Sequence, residues 1–271
     1  MTTTPATGTS DLLSDLKDGV LALTLNRAEA RNAMSEAMNQ ALAQQLGWAE
    51  LDPSVKCVVL TGAGKGFCSG GDVKAMSNRG ARGLSIDEAI HRQRVNQRET
   101  VGRLFKMPKP TLAALPGAAA GAGLALALAC DLRIMATTAF MTTAFARVGF
   151  SGDFGGTYFL TQLVGSAKAR ELYYLSDRVS AEEALRLGIV NWICSPDELA
   201  TRAREISHRL ASGPTVAFRY MKENLNRAMA GEVDDCLDIE VTHHAHCAAT
   251  EDHREAVKAF VEKREPVFNG R

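Results

Sequence analysis

The sequence predicts an α/β fold, and two observations carry that expectation. Short apolar, strand-like runs alternate with helix-like segments along most of the chain, as in a sheet packed against helices. Two glycine-rich stretches about fifty residues apart, Gly66–Asp72 and Gly117–Gly123, each follow an apolar run and lead into a helix-like segment. Glycine at such places lets backbone approach a ligand closely and leaves peptide N–H groups free to point at it. Two such donors meeting at one carbonyl oxygen would make an oxyanion hole for an enolate or a tetrahedral anion. Taken singly, each stretch also reads as an ordinary strand-to-helix turn.

In chain order, the threonine-rich, uncharged segment Met1–Ser10 has no apolar signal core, so residues 1–11 read as a disordered leader on a cytosolic protein. Val20–Leu25 and Lys56–Thr61 are strand-like. Between them Ser35 caps a helix whose apolar stripe runs through Met34, Met38, Leu42 and Leu46. The polar stretch 77–103, with Arg79, Arg82, Arg92, Arg94, Arg98 and Arg103, contains a helix from Ser85 to about Phe105. It reads equally as a mobile lid or as a plain solvated helix. Pro108, Pro110 and Pro116 bracket a buried strand, Thr111–Leu115, and the almost wholly apolar helix Ala122–Ala129 must be buried on all sides. Cys130–Ala136 is the next strand; Phe140–Ala146 stays open between a short strand and a turn. Gly152–Gly156 then leads into Thr157–Val164. From Ser180 a capping-box pattern opens a short helix, Ile189–Ile193 is a last strand, and helices follow from Pro196, one starting at Pro214. The division expected is a core over 12–195 and a helical region over 196–271, of a kind that often packs on a partner subunit.

Lys plus Arg equals Asp plus Glu at 31 each, a balance that argues against a general nucleic-acid surface. No run approaches the roughly 18 apolar residues of a membrane span. Six cysteines form no CxxC pair and read as free, mostly buried thiols in a reducing compartment. Cys68 could be taken for a nucleophile, but nothing nearby in sequence would serve as its base, and a small buried residue is the better reading. His243, His244, His246, Cys247 and His253 match no strong zinc signature, so no metal is expected.

The chain resembles the crotonase superfamily, the enoyl-CoA hydratase/isomerase group, from about residue 12 to 271. The carrying motifs are Leu25–Met34, Gly66–Lys74, the loop and helix 117–131, Gly152–Gly156, Ala184–Val190 and Phe260–Phe268. The proline usual at the position of Ala28 is missing. The resemblance implies a crotonase-like spiral of ββα units, C-terminal helices that drive trimers or dimers of trimers, and acyl-CoA thioester ligands. Coenzyme A would be part of the substrate, with no separate cofactor.

By the same resemblance, the thioester oxygen would accept bonds from the N–H groups of Gly71 and Ala122. Phe67, Cys68, Ser69, Gly70 and Asp72 would line the adenine pocket through their backbone. Arg27 and Arg31 would meet CoA phosphates, and Lys263 would reach them from a neighbouring subunit. A thioester suits such a hole because its α-protons are acidic enough for two donors to make the enolate accessible. Hydratases of the family carry two glutamates where this chain has Ala125 and Phe145. Hydration needs one group to orient water and another to relay a proton, so ordinary hydratase activity should be poor. Asp153 remains, at a place where ring-epoxide isomerases, dienoyl-CoA isomerases and 4-chlorobenzoyl-CoA dehalogenases have an acid. The loop sequences look closest to the epoxide isomerases. One carboxylate suffices for a proton shuttle, with Phe145, Phe150 and Phe154 as expected apolar walls raising its pKa. The competing expectations are an N-cap role for Asp153, a second acid such as Glu88 or Glu99 that restores hydration, and a silent acyl-CoA binding protein.

Overall fold

The computed structural model describes residues 4–72 and 85–271. The expectations that fall on Val73, Lys74, Arg79 and Arg82 lie outside the described residues. The chain coils as repeated strand–strand–helix units that build two sheets side by side.

The first unit is the hairpin β1 (Leu12–Lys17) and β2 (Val20–Leu25), followed by α1 (Glu36–Leu51). Ser35 caps α1, its hydroxyl accepting from the Met38 N–H at 3.0 Å, and Met38, Leu42 and Leu46 are fully buried. The second unit is β3 (Cys57–Gly62), β4 (Gly66–Cys68) and α2 (Ile86–Gln97), which runs on through a π-helical turn, Arg98–Gly102, to a last turn, Arg103–Lys106. The third is β5 (Thr111–Leu115), β6 (Ala118–Ala120) and α3 (Ala122–Ala129), every residue of α3 being buried. The fourth is β7 (Leu132–Ala136), β8 (Phe140–Thr142) and α4 (Gly156–Leu175), which kinks at Gly165. A short β9 (Val179–Ser180), α5 (Ala181–Arg186) and β10 (Trp192–Cys194) close the spiral.

Each later unit gives its first strand to one sheet and its second to the other. The large sheet has the order β1-β2-β3-β5-β7-β10, parallel except for the β1–β2 hairpin. The small sheet has the order β4-β6-β8-β9. Parallel strands covered on both faces become continuous apolar runs, and all five residues of β5 are buried. The last strand lies three residues later than Ile189; Ile189 and Val190 instead pack in the core between α5 and the sheet.

Four helices complete the chain: α6 (Leu199–Ala211), α7 (Thr215–Ala228), α8 (Val233–Ala248) and α9 (Glu251–Glu262). The buried Lys222 of α7 ties this region to the spiral. Its ammonium donates to the carbonyls of Leu104 and Lys109 and pairs with Asp131 Oδ2 at 2.9 Å. Within the stretch read as a leader, the Pro5 carbonyl accepts from Gln45 Nε2 and the Ser10 carbonyl from Asn26 Nδ2, so the chain runs against the body there. Among the described residues no helix is long and apolar enough to cross a membrane.

Candidate active site

The small sheet brings the two glycine stretches together. β4 pairs in parallel with β6, Gly66 facing Ala118 and Cys68 facing Ala119. Both loops therefore leave the same sheet edge in the same direction. Gly70 has a φ of 95°, and a side chain there would lie 2.9 Å from the Ala120 carbonyl oxygen and 3.4 Å from the Ala122 nitrogen. Gly71 follows it and bridges in parallel to Met34. Ala122 opens α3, so its N–H has no acceptor within the helix. Gly70, the neighbour of Gly71, thus approaches Ala122 at the positive end of α3.

Close packing holds this approach. A β-carbon on Gly123 would fall 2.4 Å from the Cys68 carbonyl oxygen and 2.7 Å from its sulfur. Cys68 and Phe67 are fully buried, so neither side chain can face a ligand. Burial pushes the Cys68 thiol up to about 12, which removes it as a nucleophile at neutral pH.

The turn before α1 is tied to the first loop by Asn32, a residue of the Leu25–Met34 motif. Its Oδ1 accepts from the Arg27 N–H, and its Nδ2 donates to the carbonyls of Ala63 and Gly66. Ser69 donates its N–H to the Arg31 carbonyl. The Arg27 guanidinium donates to the Ala33 carbonyl, pairs with Asp72 at 3.0 Å and lies 3.6 Å from Asp11. Its charge is already shared by two carboxylates. Arg31 is exposed, and Lys263 is an exposed, left-handed C-cap of α9.

Asp153 sits in a loop with backbone that few residues adopt: φ is 108° at Gly152, 51° at Phe154 and 72° at Gly155. Its carboxylate does not cap α4; the N-cap is Gly155, and only the Asp153 carbonyl accepts, from the Gly156 N–H. Oδ2 takes a bond from Gln93 Nε2 at 3.3 Å, while Oδ1 is buried and has no partner among the described residues. Burial alone raises the Asp153 carboxyl to about 6. Gln97, one turn beyond Gln93 on α2, accepts from the Phe154 N–H at 2.8 Å. Two glutamines four residues apart on one helix face were a legible pair, but nothing local to them indicated the loop they meet.

Phe145 and Phe154 are buried, as walls should be. Phe150 is not: it is 58% exposed in the chain, because its N–H closes a turn onto the Phe145 carbonyl and turns its ring outward. The wall that sequence reasoning missed is Tyr173 of α4, whose ring stacks on Phe145 at 5.9 Å between centroids. The Phe145 ring in turn borders Gly121, which precedes Ala122. A side chain at Gly156 would touch both the Tyr173 hydroxyl and the Ala125 methyl group. Ala125 is one helical turn from Ala122, so the aspartate loop packs on the same turn of α3 that the paired glycine loops lead into.

The proposed second acids have other partners. Glu88 closes a capping box with Ser85, and Glu99 pairs with Arg103, which also pairs with Glu50. His243 packs between α7 and α8, stacked on Tyr220 at 4.3 Å and bonded to Asn224. A separate cavity of about 460 Å³ opens beside α7, around Phe159, Leu163, Phe218 and Met221.

The structure is a two-sheet spiral in which two glycine loops pack together and one half-buried carboxyl lies near them. Comparison with known proteins gives it a family. Residues 15–271 match the enoyl-CoA hydratase/isomerase family, and the chain belongs to that family of acyl-CoA enzymes, with the crotonase fold. It is 37% identical over 260 residues to a 1,2-epoxyphenylacetyl-CoA isomerase of Escherichia coli, covering 96% of this chain and 98% of that one. It is 34% identical over 254 residues to a short-chain-enoyl-CoA hydratase of Clostridium acetobutylicum, covering 92% and 94%. An enoyl-CoA hydratase crystal structure from Polaromonas superposes with a TM-score of 0.89 at 31% identity, covering 95% of this chain and 99% of that one.

Proposed function

We propose that the protein is an acyl-CoA isomerase with Asp153 as a single proton shuttle. The observation that supports this reading is the half-buried carboxyl of Asp153, raised to about 6, with Oδ1 unpartnered among the described residues, near Ala125 and Phe145, which carry no acid. A thioester oxygen accepts from the N–H groups of Gly71 and Ala122. Ionised Asp153 removes an α-proton from a 3-enoyl-CoA, the electron pair delocalises into a dienolate, and the same carboxyl returns the proton at the γ-carbon. The product is a 2-enoyl-CoA. Proton transfer of this kind needs no cofactor beyond the coenzyme A of the substrate. A ring-epoxide acyl-CoA is the second substrate class, favoured by the 37% identity to an isomerase of that type.

The phosphates of CoA fall to Arg31 and, from a neighbouring subunit, Lys263, since Arg27 is already paired. Assembly as a homotrimer or a dimer of trimers is supported by apolar side chains exposed along α8 and α9, among them Leu237, Val241, Val257 and the 86% exposed Phe260. Light scattering of the purified protein tests the assembly.

The deciding experiment compares 3-hexenoyl-CoA with crotonyl-CoA as substrates, followed by mass spectrometry and ultraviolet absorbance. Conversion of 3-hexenoyl-CoA to its 2-enoyl isomer, lost in Asp153→Asn by about 100-fold or more, is the expected result. Rapid hydration of crotonyl-CoA, or near-full isomerase activity of Asp153→Asn, overturns it. Tight acyl-CoA binding without turnover of either ester, or of ring-epoxide esters, would make the protein a silent binder.

A further inference from the structure

Tyr173 is twenty residues beyond Asp153 in sequence, yet its hydroxyl borders the glycines on either side of that residue. A β-carbon on Gly156 would lie 2.6 Å from the hydroxyl oxygen, and one on Gly152 would lie 3.6 Å from it. The same point at Gly156 is 3.4 Å from the Ala125 methyl. The phenol therefore reaches the space beside Ala125, brought there from α4 and held by the stack on Phe145.

Two polar atoms in this pocket are without partners among the described residues. One is the acceptor Asp153 Oδ1, buried; the other is the hydroxyl of the half-buried Tyr173, which makes no hydrogen bond to the described residues. Among the described residues, the groups that contact this loop and ring are uncharged: Gln93 and Gln97 from α2, Ala125 from α3, Phe145 and Phe154 from the flanking turns. Burial first, and then the Asp153 charge, push the Tyr173 phenol well above its ordinary range. It therefore keeps its proton and has an O–H to donate.

We propose that Tyr173 is a positioning residue for Asp153, its hydroxyl donating to Oδ1 when an acyl chain fills the pocket and excludes water. The proposal rests on Asp153 as the proton shuttle. An ionised carboxylate oxygen accepts along two directions, so the bond leaves one lone pair of Oδ1 facing the acyl chain. With Gln93 on Oδ2 and Tyr173 on Oδ1, the carboxylate is clamped from both sides. A donor to the charged form also holds the carboxyl below the value that burial alone would set. The phenol thus answers the loss of acids at Ala125 and Phe145 with a proton donor that orients the remaining carboxyl.

The test is a carbon-13 NMR titration of the Asp153 carboxyl, assigned with Asp153→Asn, in the full-length protein saturated with hexanoyl-CoA. Tyr173→Phe keeps the ring and its stack but removes the donor. Its Asp153 midpoint is expected about one pH unit above that of the unaltered protein, the scale of one hydrogen bond to a charge. Equal midpoints overturn the proposal whether or not Asp153 is catalytic. On 3-hexenoyl-CoA, Tyr173→Phe should lose about 10-fold in kcat with KM changed less than about 2-fold, as for a group acting on the proton-transfer step. If kcat is unchanged while Asp153→Asn is inactive, the shuttle stands and the Tyr173 proposal falls. If Asp153→Asn stays active, the shuttle itself falls.

Discussion

Gln93 Nε2 donates to Asp153 Oδ2 across 3.3 Å, joining a helix of the second unit to a loop of the fourth. The bond engages one carboxylate oxygen and leaves the other to the pocket. A donor shared this way orients the acid without neutralising it. Gln93→Glu reverses the effect, since two carboxyl groups in hydrogen-bond range cannot both ionise easily. The acid limb of the kcat/KM profile on 3-hexenoyl-CoA should then move about one pH unit or more upward. An unmoved limb would mean that this contact does not govern Asp153 in solution.

Asp153 also links activity to stability with opposite signs. As the proposed base it must be ionised, so kcat/KM should rise through about pH 6 and level off above it. For folding, the raised value means that the native state binds a proton the unfolded chain has released between the ordinary 3.8 and about 6. Stability therefore falls as pH rises through that window, and the cost is fully present above it. Asp153→Asn should be more stable than the unaltered protein at pH 8 by about 1–2 kcal/mol, after discounting for solvent screening of a part-open carboxyl. At pH 4 the gap should nearly close. Urea unfolding at the two pH values reads both.

The contact between the glycine loops predicts a sharp contrast between two of its glycines. Gly123→Ala would drive a methyl group into the Cys68 carbonyl, 2.4 Å away, and the loops could not keep their spacing. A loss of about 3 kcal/mol and of most activity is expected, as for overpacking against a backbone that cannot yield. Gly66→Ala meets nothing within 4 Å and has no positive φ, so it should stay within about 0.5 kcal/mol. Similar effects for both would show that the Gly123 contact is not what sets the approach.

What the sequence showed was largely local, and what it concealed was mostly long-range. The strand runs, the Ser35 cap and the all-apolar α3 were each legible from residues within one segment. The two glycine stretches were visible as a pair, because each carries its own pattern. The partners of Asp153 were not. Gln93, Gln97 and Tyr173 come from two helices and look like ordinary helix residues until the spiral folds them onto one loop. Phe150 failed as a wall for the converse reason: a left-handed Gly149 and the turn onto the Phe145 carbonyl rotate it outward, which no apolar count reveals.

Asn32 gives the last prediction, since it does two things that can be separated. It is fully buried at a φ of 55°, and its side chain satisfies one N–H and two carbonyls around the first glycine loop. Asn32→Gly removes the bonds but tolerates the backbone, leaving the part-buried Arg27, Ala63 and Gly66 groups to find other partners. That should cost about 2–3 kcal/mol. Asn32→Ala loses the same bonds and adds the strain of a left-handed alanine, about 1 kcal/mol more. Both variants should raise KM for acyl-CoA more than they lower kcat, because the loop they loosen carries the proposed adenine-facing backbone. Equal stabilities for the glycine and alanine variants would mean that the turn relaxes out of the left-handed region once Asn32 is gone.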